Sequence, residues 1–146
     1  MQGNQQMREL VNLNHVLEQM RQYSLQQKVP GPRVFVTGGS GTGKTTICKI
    51  LVNYCLKLGW TPLLVDIDPI QNIISAPGCL SAAQVDNVID SCTDNLTAKS
   101  INYFHGACQP NHFIITPELY DTQVKQLAEA CWMKQEHDIL QFKTDN

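Results

Sequence analysis

Apolar positions along the chain change period several times, and each change predicts an element. Leu10, Leu13, Leu17 and Met20 recur at helical spacing, with Gln, Asn and charged residues between them. This predicts an amphipathic surface helix from about Arg8 to Gln26. Pro30, Gly31 and Pro32 follow and must end it, because proline cannot donate to a helix and clashes with the preceding turn. Val34, Phe35, Val36 and Thr37 form a β-branched and aromatic run, predicting a buried strand. Ile47, Ile50, Leu51, Tyr54 and Leu58 return to helical spacing, with Gly59 as the stop. The run PLLVDI, Pro62 to Ile67, predicts a second buried strand that ends at Asp68. Further on, residues 101–105 and 112–116 are short strand candidates. Thr116 is the expected N-cap of a last helix, with Pro117 in its first turn and Tyr120, Val124, Leu127, Ala128 and Cys131 on one face. Trp132 adjoins that face.

Between the first strand and the helix after it the chain reads GGSGTGKTT from Gly38 to Thr46, matching G-x-x-x-x-G-K-[ST] without a mismatch. This is a P-loop pattern in the strand-loop-helix setting its mechanism requires. Phosphate oxygens need several donors converging from one side, and glycine lets successive backbone N–H groups turn inward where a Cβ would clash. The helix start adds its unpaired N–H groups and the positive end of its dipole. The expected phosphate-binding residues are Gly38, Gly39, Ser40, Gly41, Thr42, Gly43, Lys44, Thr45 and Thr46. Lys44 would reach the β- and γ-phosphates of ATP, and the Thr45 hydroxyl would hold Mg²⁺. Acidic residues at the C-terminal ends of strands lie beside the ligand crevice of an open α/β sheet, so Asp66 or Asp68 is expected near the phosphates.

Composition narrows the class without adding chemistry. With 146 residues the chain suits one domain, and 42% apolar with 16% charged residues describes a globular protein. No apolar run approaches the ~20 residues of a membrane helix, and no signal-peptide pattern opens the chain. An intracellular protein is the default expectation. Six cysteines, at positions 48, 55, 79, 92, 108 and 131, contain no CxxC pair and are expected as free thiols. His105, Cys108 and His112 form an H-x-x-C-x-x-x-H cluster, but a fourth zinc ligand is missing. The net charge of −2 and the scattered Lys and Arg give no electrostatic support for nucleic acid.

Three blocks carry a family resemblance. Asn12 with Leu17, Glu18 and Arg21 matches N-x-x-x-x-L-E-x-x-R, and Gly31-Pro32-Arg33-Val34 then leads into the strand. Thr45-Thr46-x-Cys48, Leu51, Asn53 and Tyr54 match the helix after the loop. Asp68, Gln71, Ser75, Pro77 and Gly78 match D-x-x-Q-x-x-x-S-x-P-G. Together they resemble the central ATPase domain of the Clp/Grc-type polynucleotide 5′-hydroxyl kinases, in the branch that serves the pre-mRNA cleavage complex. Two positions depart from that pattern. Pro69-Ile70 stands where the family has glycine before Gln71, and the turn 106–110 lacks the family's hydroxyls.

The resemblance implies a P-loop NTPase-type three-layer α/β/α fold with a mainly parallel sheet, here incomplete. Residues 1–32 would be an amphipathic helix and linker, and 33–146 the first half of an ATP-binding domain. It also implies ATP and Mg²⁺ as cofactors, Lys44 and Asp68 as catalytic residues, and Thr45 and Asp68 at the metal. Implied partners are RNA with a 5′-hydroxyl and subunits of an mRNA cleavage or tRNA splicing complex, in the nucleus. No membrane partner is implied. The sequence shows neither a separate Walker B strand, since residues 113–115 end in Thr116, nor the family's arginine-bearing lid. Two function classes therefore stay open, with an inactive partial product as a third reading. One is an ATP-dependent kinase acting on RNA 5′-hydroxyls, with Asp68 as general base. The other is a non-catalytic nucleotide-binding interaction module.

Overall fold

The computed structural model of the chain describes residues 2–90, 99–106 and 117–144. Helix α1 (Gln2–Gln27) is followed by α2 (Lys44–Lys57), strands β1 (Leu63–Asp66), β2 (Cys79–Gln84) and β3 (Ser100–Phe104), and helix α3 (Pro117–Thr144). No helix among the described residues is long and apolar enough to cross a membrane.

The helices end where local chemistry dictates. At the close of α1, Lys28 adopts a left-handed φ of 54°, and Val29 N–H donates to the Ser24 carbonyl at 3.0 Å. Pro30 then forbids continuation. At the close of α2, Gly59 takes φ 85° while Gly59 and Trp60 N–H groups donate to the Leu56 and Cys55 carbonyls at 2.9 and 3.1 Å. That paired closure is a Schellman motif, and the left-handed φ is what its C′ residue requires.

Helix α1 buries less of its predicted stripe than the spacing suggests. Leu17 is buried, but Leu13 and Met20 are 40% and 48% exposed. The inward line runs instead through Leu10, Asn14, Leu17, Arg21 and Ser24. A polar clamp sets that rotation: Trp60 Nε1 donates to both oxygens of Glu18 at 3.2 and 3.0 Å, joined by Gln22 at 2.8 Å and Arg21 at 3.0 Å. Burial pushes the Glu18 carboxyl up, yet these donors outweigh it and hold the group below the usual carboxylate range.

The sheet has the order β1-β2-β3, and both pairings are antiparallel, with Leu64 opposite Ala83 and Leu80 opposite Tyr103. The described strands therefore form no parallel pair, in contrast to the mainly parallel sheet expected. The reason lies in the β1–β2 connection, since parallel strands need a crossover, usually a helix. Residues 67–78 instead fold on themselves. Asp66 and Asp68 carboxylates accept the backbone N–H groups of Ile73 and Ile70 at 2.8 Å, and Gly78 N–H donates to the Pro69 carbonyl at 2.7 Å. The Asn72 side-chain oxygen accepts from Ile74 and Ser75. With these backbone donors satisfied inside the turn, the chain doubles back and returns antiparallel.

The expected strand at 34–37 does not form, its residues joining no described ladder, with Val34 and Phe35 49% and 78% exposed. Among the described residues both outer edges of the sheet, on β1 and β3, stay unpaired by it, and Arg33 is drawn to α3 instead. The candidate strand at 101–105 is β3, one residue earlier at each end. The candidate at 112–116 and the expected cap at Thr116 lie outside the described residues.

Strand β2 was not foreseen. Its sequence, CLSAAQ, lacks β-branched residues, yet Cys79 to Ala83 are all buried. Alternation along it feeds two clusters. Leu80 and Ala82 pack with Leu127 of α3, flanked by Ile67, Tyr103, Tyr120 and Val124. Ala83 packs with Val52 of α2, Leu64, Ile74, Val85 and Ile89. Helices α2 and α3 thus feed cores on opposite faces of the central strand. Small side chains let both helices approach, and each fully buried Leu or Ile there contributes roughly 1.5–3 kcal/mol.

Candidate functional site

The glycine-rich loop leads into α2 through a conformation that only glycine adopts cheaply. Gly41 and Gly43 have φ of 73° and 84°, in the left-handed region, and Gly43 is the N-cap of α2. The first helical bond, Ile47 N–H to the Gly43 carbonyl, measures 3.0 Å. No side chain caps this helix start, so its first N–H groups stay available to a ligand. Residues 38–43 are exposed, as are Thr45 and Thr46.

Inside the loop two side chains fix the backbone. The Lys44 Nζ donates to the Gly39 carbonyl at 2.7 Å, and the Thr42 hydroxyl donates to the same oxygen at 2.9 Å. The ammonium is thereby held back over the loop, with two of its three donors still to be used. An incoming anion would meet a fixed positive charge, the α2 N-terminus and an open, glycine-walled surface. No heavy atom lies within 4 Å of where a Cβ would stand on Gly41 or Gly43. The residues present thus fit a phosphate group.

The two candidate carboxylates differ in setting. Asp66 is the last residue of β1, half-buried, and accepts Asp68 N–H at 3.0 Å on one oxygen and Ile73 N–H at 2.8 Å on the other. Burial pushes its carboxyl up, partly countered by those two N–H donors, and the charge of Asp68 pushes it further the same way. The Asp66 charge is also felt by Cys48, one turn into α2, whose thiol is raised first by burial and then by Asp66. Asp68 is exposed and accepts Ile70 N–H at 2.8 Å and, more weakly, Gln71 N–H at 3.4 Å on a single oxygen, leaving the second oxygen for another partner.

Two features were not anticipated from sequence. The Tyr120 hydroxyl of α3 donates to the Ile67 carbonyl at 2.9 Å, one residue before Asp68. Burial raises the Tyr120 phenol, with Asp68, Asp121 and Asp66 adding to the effect. The guanidinium of Arg33 stacks over the Trp132 ring at 4.5 Å and donates to Gln135 Oε1 at 3.0 Å. The only sequence signal for either was the placing of Tyr120 on the helix face and Trp132 beside it.

The zinc reading finds no support among the described residues, where no group of three or more His, Cys, Asp or Glu is placed to hold a metal. His105 is buried, with its Nδ1 2.8 Å from Gln123 Oε1. Cys108 and His112 lie outside the described residues. Cys48, Cys55, Cys79 and Cys131 are free thiols, as expected.

Residues 38–141 match the family model described as mRNA cleavage and polyadenylation factor CLP1 P-loop. A protein CLP1 homolog from Brugia malayi is 36% identical over 125 residues, covering 82% of this chain and 28% of the relative. The polyribonucleotide 5′-hydroxyl-kinase Clp1 of Danio rerio is 35% identical over 121 residues, covering 82% of this chain and 26% of the relative. Among solved structures, the wild-type Clp1p-Pcf11p (454–563) complex aligns with a TM-score of 0.71 and 29% identity, covering 88% of this chain and 31% of that chain. The chain thus spans little more than a quarter of the length of these curated relatives.

Proposed function

The chain belongs to the family of the mRNA cleavage and polyadenylation factor CLP1 P-loop, and from that premise we propose that it binds ATP with Mg²⁺ through residues 38–46 in the service of nuclear RNA processing. Pre-mRNA 3′-end cleavage and tRNA processing are the settings proposed, with RNA 5′-hydroxyl ends as substrate class and subunits of such a complex as partners. The observation that carries the reading is the loop itself. Left-handed Gly41 and Gly43, an uncapped α2 start and a Lys44 ammonium anchored on Gly39 converge on one exposed surface.

When bound, ATP supplies a transferable phosphoryl group and Mg²⁺ neutralises charge on its phosphates. The chain's own residues do the rest. Backbone N–H groups of the loop and of the first turn of α2 take phosphate oxygens, and Lys44 adds a charge-assisted donor. The exposed Thr45 hydroxyl is available to the metal. Asp68, oriented by the N–H groups it accepts, keeps one oxygen to take the proton of an attacking hydroxyl or to assist at the metal.

Calorimetry with ATP and Mg²⁺, followed by transfer of labelled phosphate to a 5′-hydroxyl oligoribonucleotide, tests the proposal. Binding with transfer that both Lys44→Ala and Asp68→Asn abolish establishes the kinase. Binding without transfer assigns a nucleotide-binding module, and absence of binding refutes the proposal.

A further inference from the structure

The segment that carries the phosphate-binding loop is not held by the sheet. Among the described residues, 30–38 make no backbone hydrogen bond to a strand, and Val34 and Phe35 lie largely in solvent. Among the described residues, the hydrogen bond from this segment to another element is made by Arg33, which donates to Gln135 of α3 at 3.0 Å. The same guanidinium lies 4.5 Å over the Trp132 ring. That ring is itself fixed, since Trp132 Nε1 donates to Glu136 Oε1 at 2.7 Å. Arginine suits this place because a planar fork can stack and donate together, which an ammonium cannot reproduce.

Helix α3 also reaches the acidic turn. Its Tyr120 hydroxyl holds the Ile67 carbonyl at 2.9 Å, and Leu127, between the two contacts, is 1% exposed in the core. At ~1.5 Å per residue, Tyr120 and Trp132 are about 18 Å apart along the helix axis. One rod, anchored at its middle, therefore touches both the segment entering the loop and the turn bearing Asp68.

We infer that Arg33 is a positioning residue, latching the segment ahead of the phosphate-binding loop to α3 through Trp132 and Gln135, so that the latch pre-organises the loop for nucleotide. This rests on the nucleotide-binding reading of the loop. A site whose backbone donors are already aimed loses less freedom on binding, and an unlatched loop is competent for only a fraction of the time. Cation–π stacking and one hydrogen bond together set the scale. Their loss weakens nucleotide binding by about three- to thirtyfold.

The test uses the full 146-residue chain. ATP–Mg²⁺ affinity is measured by calorimetry for wild type, Arg33→Ala, Trp132→Leu, the double variant and Trp132→Phe. Emission of Trp132 is recorded with and without Arg33→Ala in a Trp60→Phe background, where it is the remaining indole. The expected result is an affinity loss in each of the two single variants, no further loss in the double, and near wild-type affinity for Trp132→Phe, which keeps an aromatic face. A shift of Trp132 emission on Arg33→Ala accompanies it. Trp132 is half exposed, so Trp132→Leu leaves the core intact and decides the matter if Arg33→Ala fails to fold. Unchanged affinity in the single variants, or losses that add in the double, overturns the inference. Failure of the wild type to bind ATP overturns the nucleotide reading and the coupling with it, while the emission shift still reports separately whether the latch forms.

Discussion

Replacing Lys44 by alanine is the most direct perturbation of the candidate site, and its size follows from the geometry. The ammonium donates to the Gly39 carbonyl at 2.7 Å. Because it carries three donors, it can keep that bond and still offer two protons to phosphate oxygens. Nothing has to be surrendered for binding, so the full charge-assisted contribution, about 1.5–3 kcal/mol, is lost in Lys44→Ala. At 1.4 kcal/mol per decade, ATP affinity is expected to fall by roughly ten- to more than a hundredfold. The loop backbone should change little, because Thr42 also donates to the Gly39 carbonyl, at 2.9 Å. Lys44 is expected to act on the β- and γ-phosphates, so AMP affinity, if measurable, should fall much less than ATP affinity. The assay is isothermal calorimetry of wild type and variant with ATP and with AMP, both with Mg²⁺. Equal ATP affinity in the two proteins, or an equal loss for AMP, would refute this account of Lys44.

Leu127→Ala empties the centre of the α3 core, where the side chain is 1% exposed, and should cost about 2–5 kcal/mol in urea unfolding; a loss below ~1 kcal/mol would show that α3 does not anchor the sheet. Tyr120→Phe removes the hydrogen bond to the Ile67 carbonyl and should cost about 0.5–1.5 kcal/mol, read from the same transition, with no change counting against that bond. The folded Glu18 carboxyl lies below its unfolded value, so its clamp contributes stability above roughly pH 4.3 and loses it as pH falls through the lower folded value. Emission of Trp60 in a Trp132→Phe background should therefore change on acidification below that point, and Glu18→Gln should flatten the change; identical profiles would exclude Glu18 as its source.

The parts that were legible in sequence are those whose conformation is encoded locally. Gly41, Gly43 and Gly59 mark positions that adopt left-handed φ, and the spacing around them identifies a loop and a helix end without knowledge of any distant residue. Helix α2 and the seat of Lys44 follow from that alone. Strand β2 is the opposite case. Nothing in CLSAAQ favours a strand, and its state is decided by helices feeding cores on its two faces, where alanine and serine are the residues that fit. The antiparallel return was hidden for a related reason. It depends on Asp66, Asp68 and Asn72 side chains satisfying the backbone of residues 68–75, and a carboxylate at a strand end carries the same sequence signal whether it serves chemistry or the turn.

Residues 33–37 join the two lessons. Their composition states what the segment can bury, yet pairing is a property of the neighbours offered, and a β-branched run with no ladder partner is left in solvent. Phe35 at 78% exposure is the sharpest instance of local preference and global placement disagreeing. Such disagreements concentrate where a protein binds or moves, because a segment satisfied everywhere has no free energy left for a ligand to redirect. Here the conflict falls immediately before Gly38. The residue that resolves it, Arg33, does so by a side-chain contact to α3 that can open without breaking a strand ladder. On the proposed nucleotide-binding reading, a loop led by such a segment is set by one guanidinium and one indole, and its readiness for nucleotide then depends on residues about a hundred positions away in the chain, a span set by the latch itself.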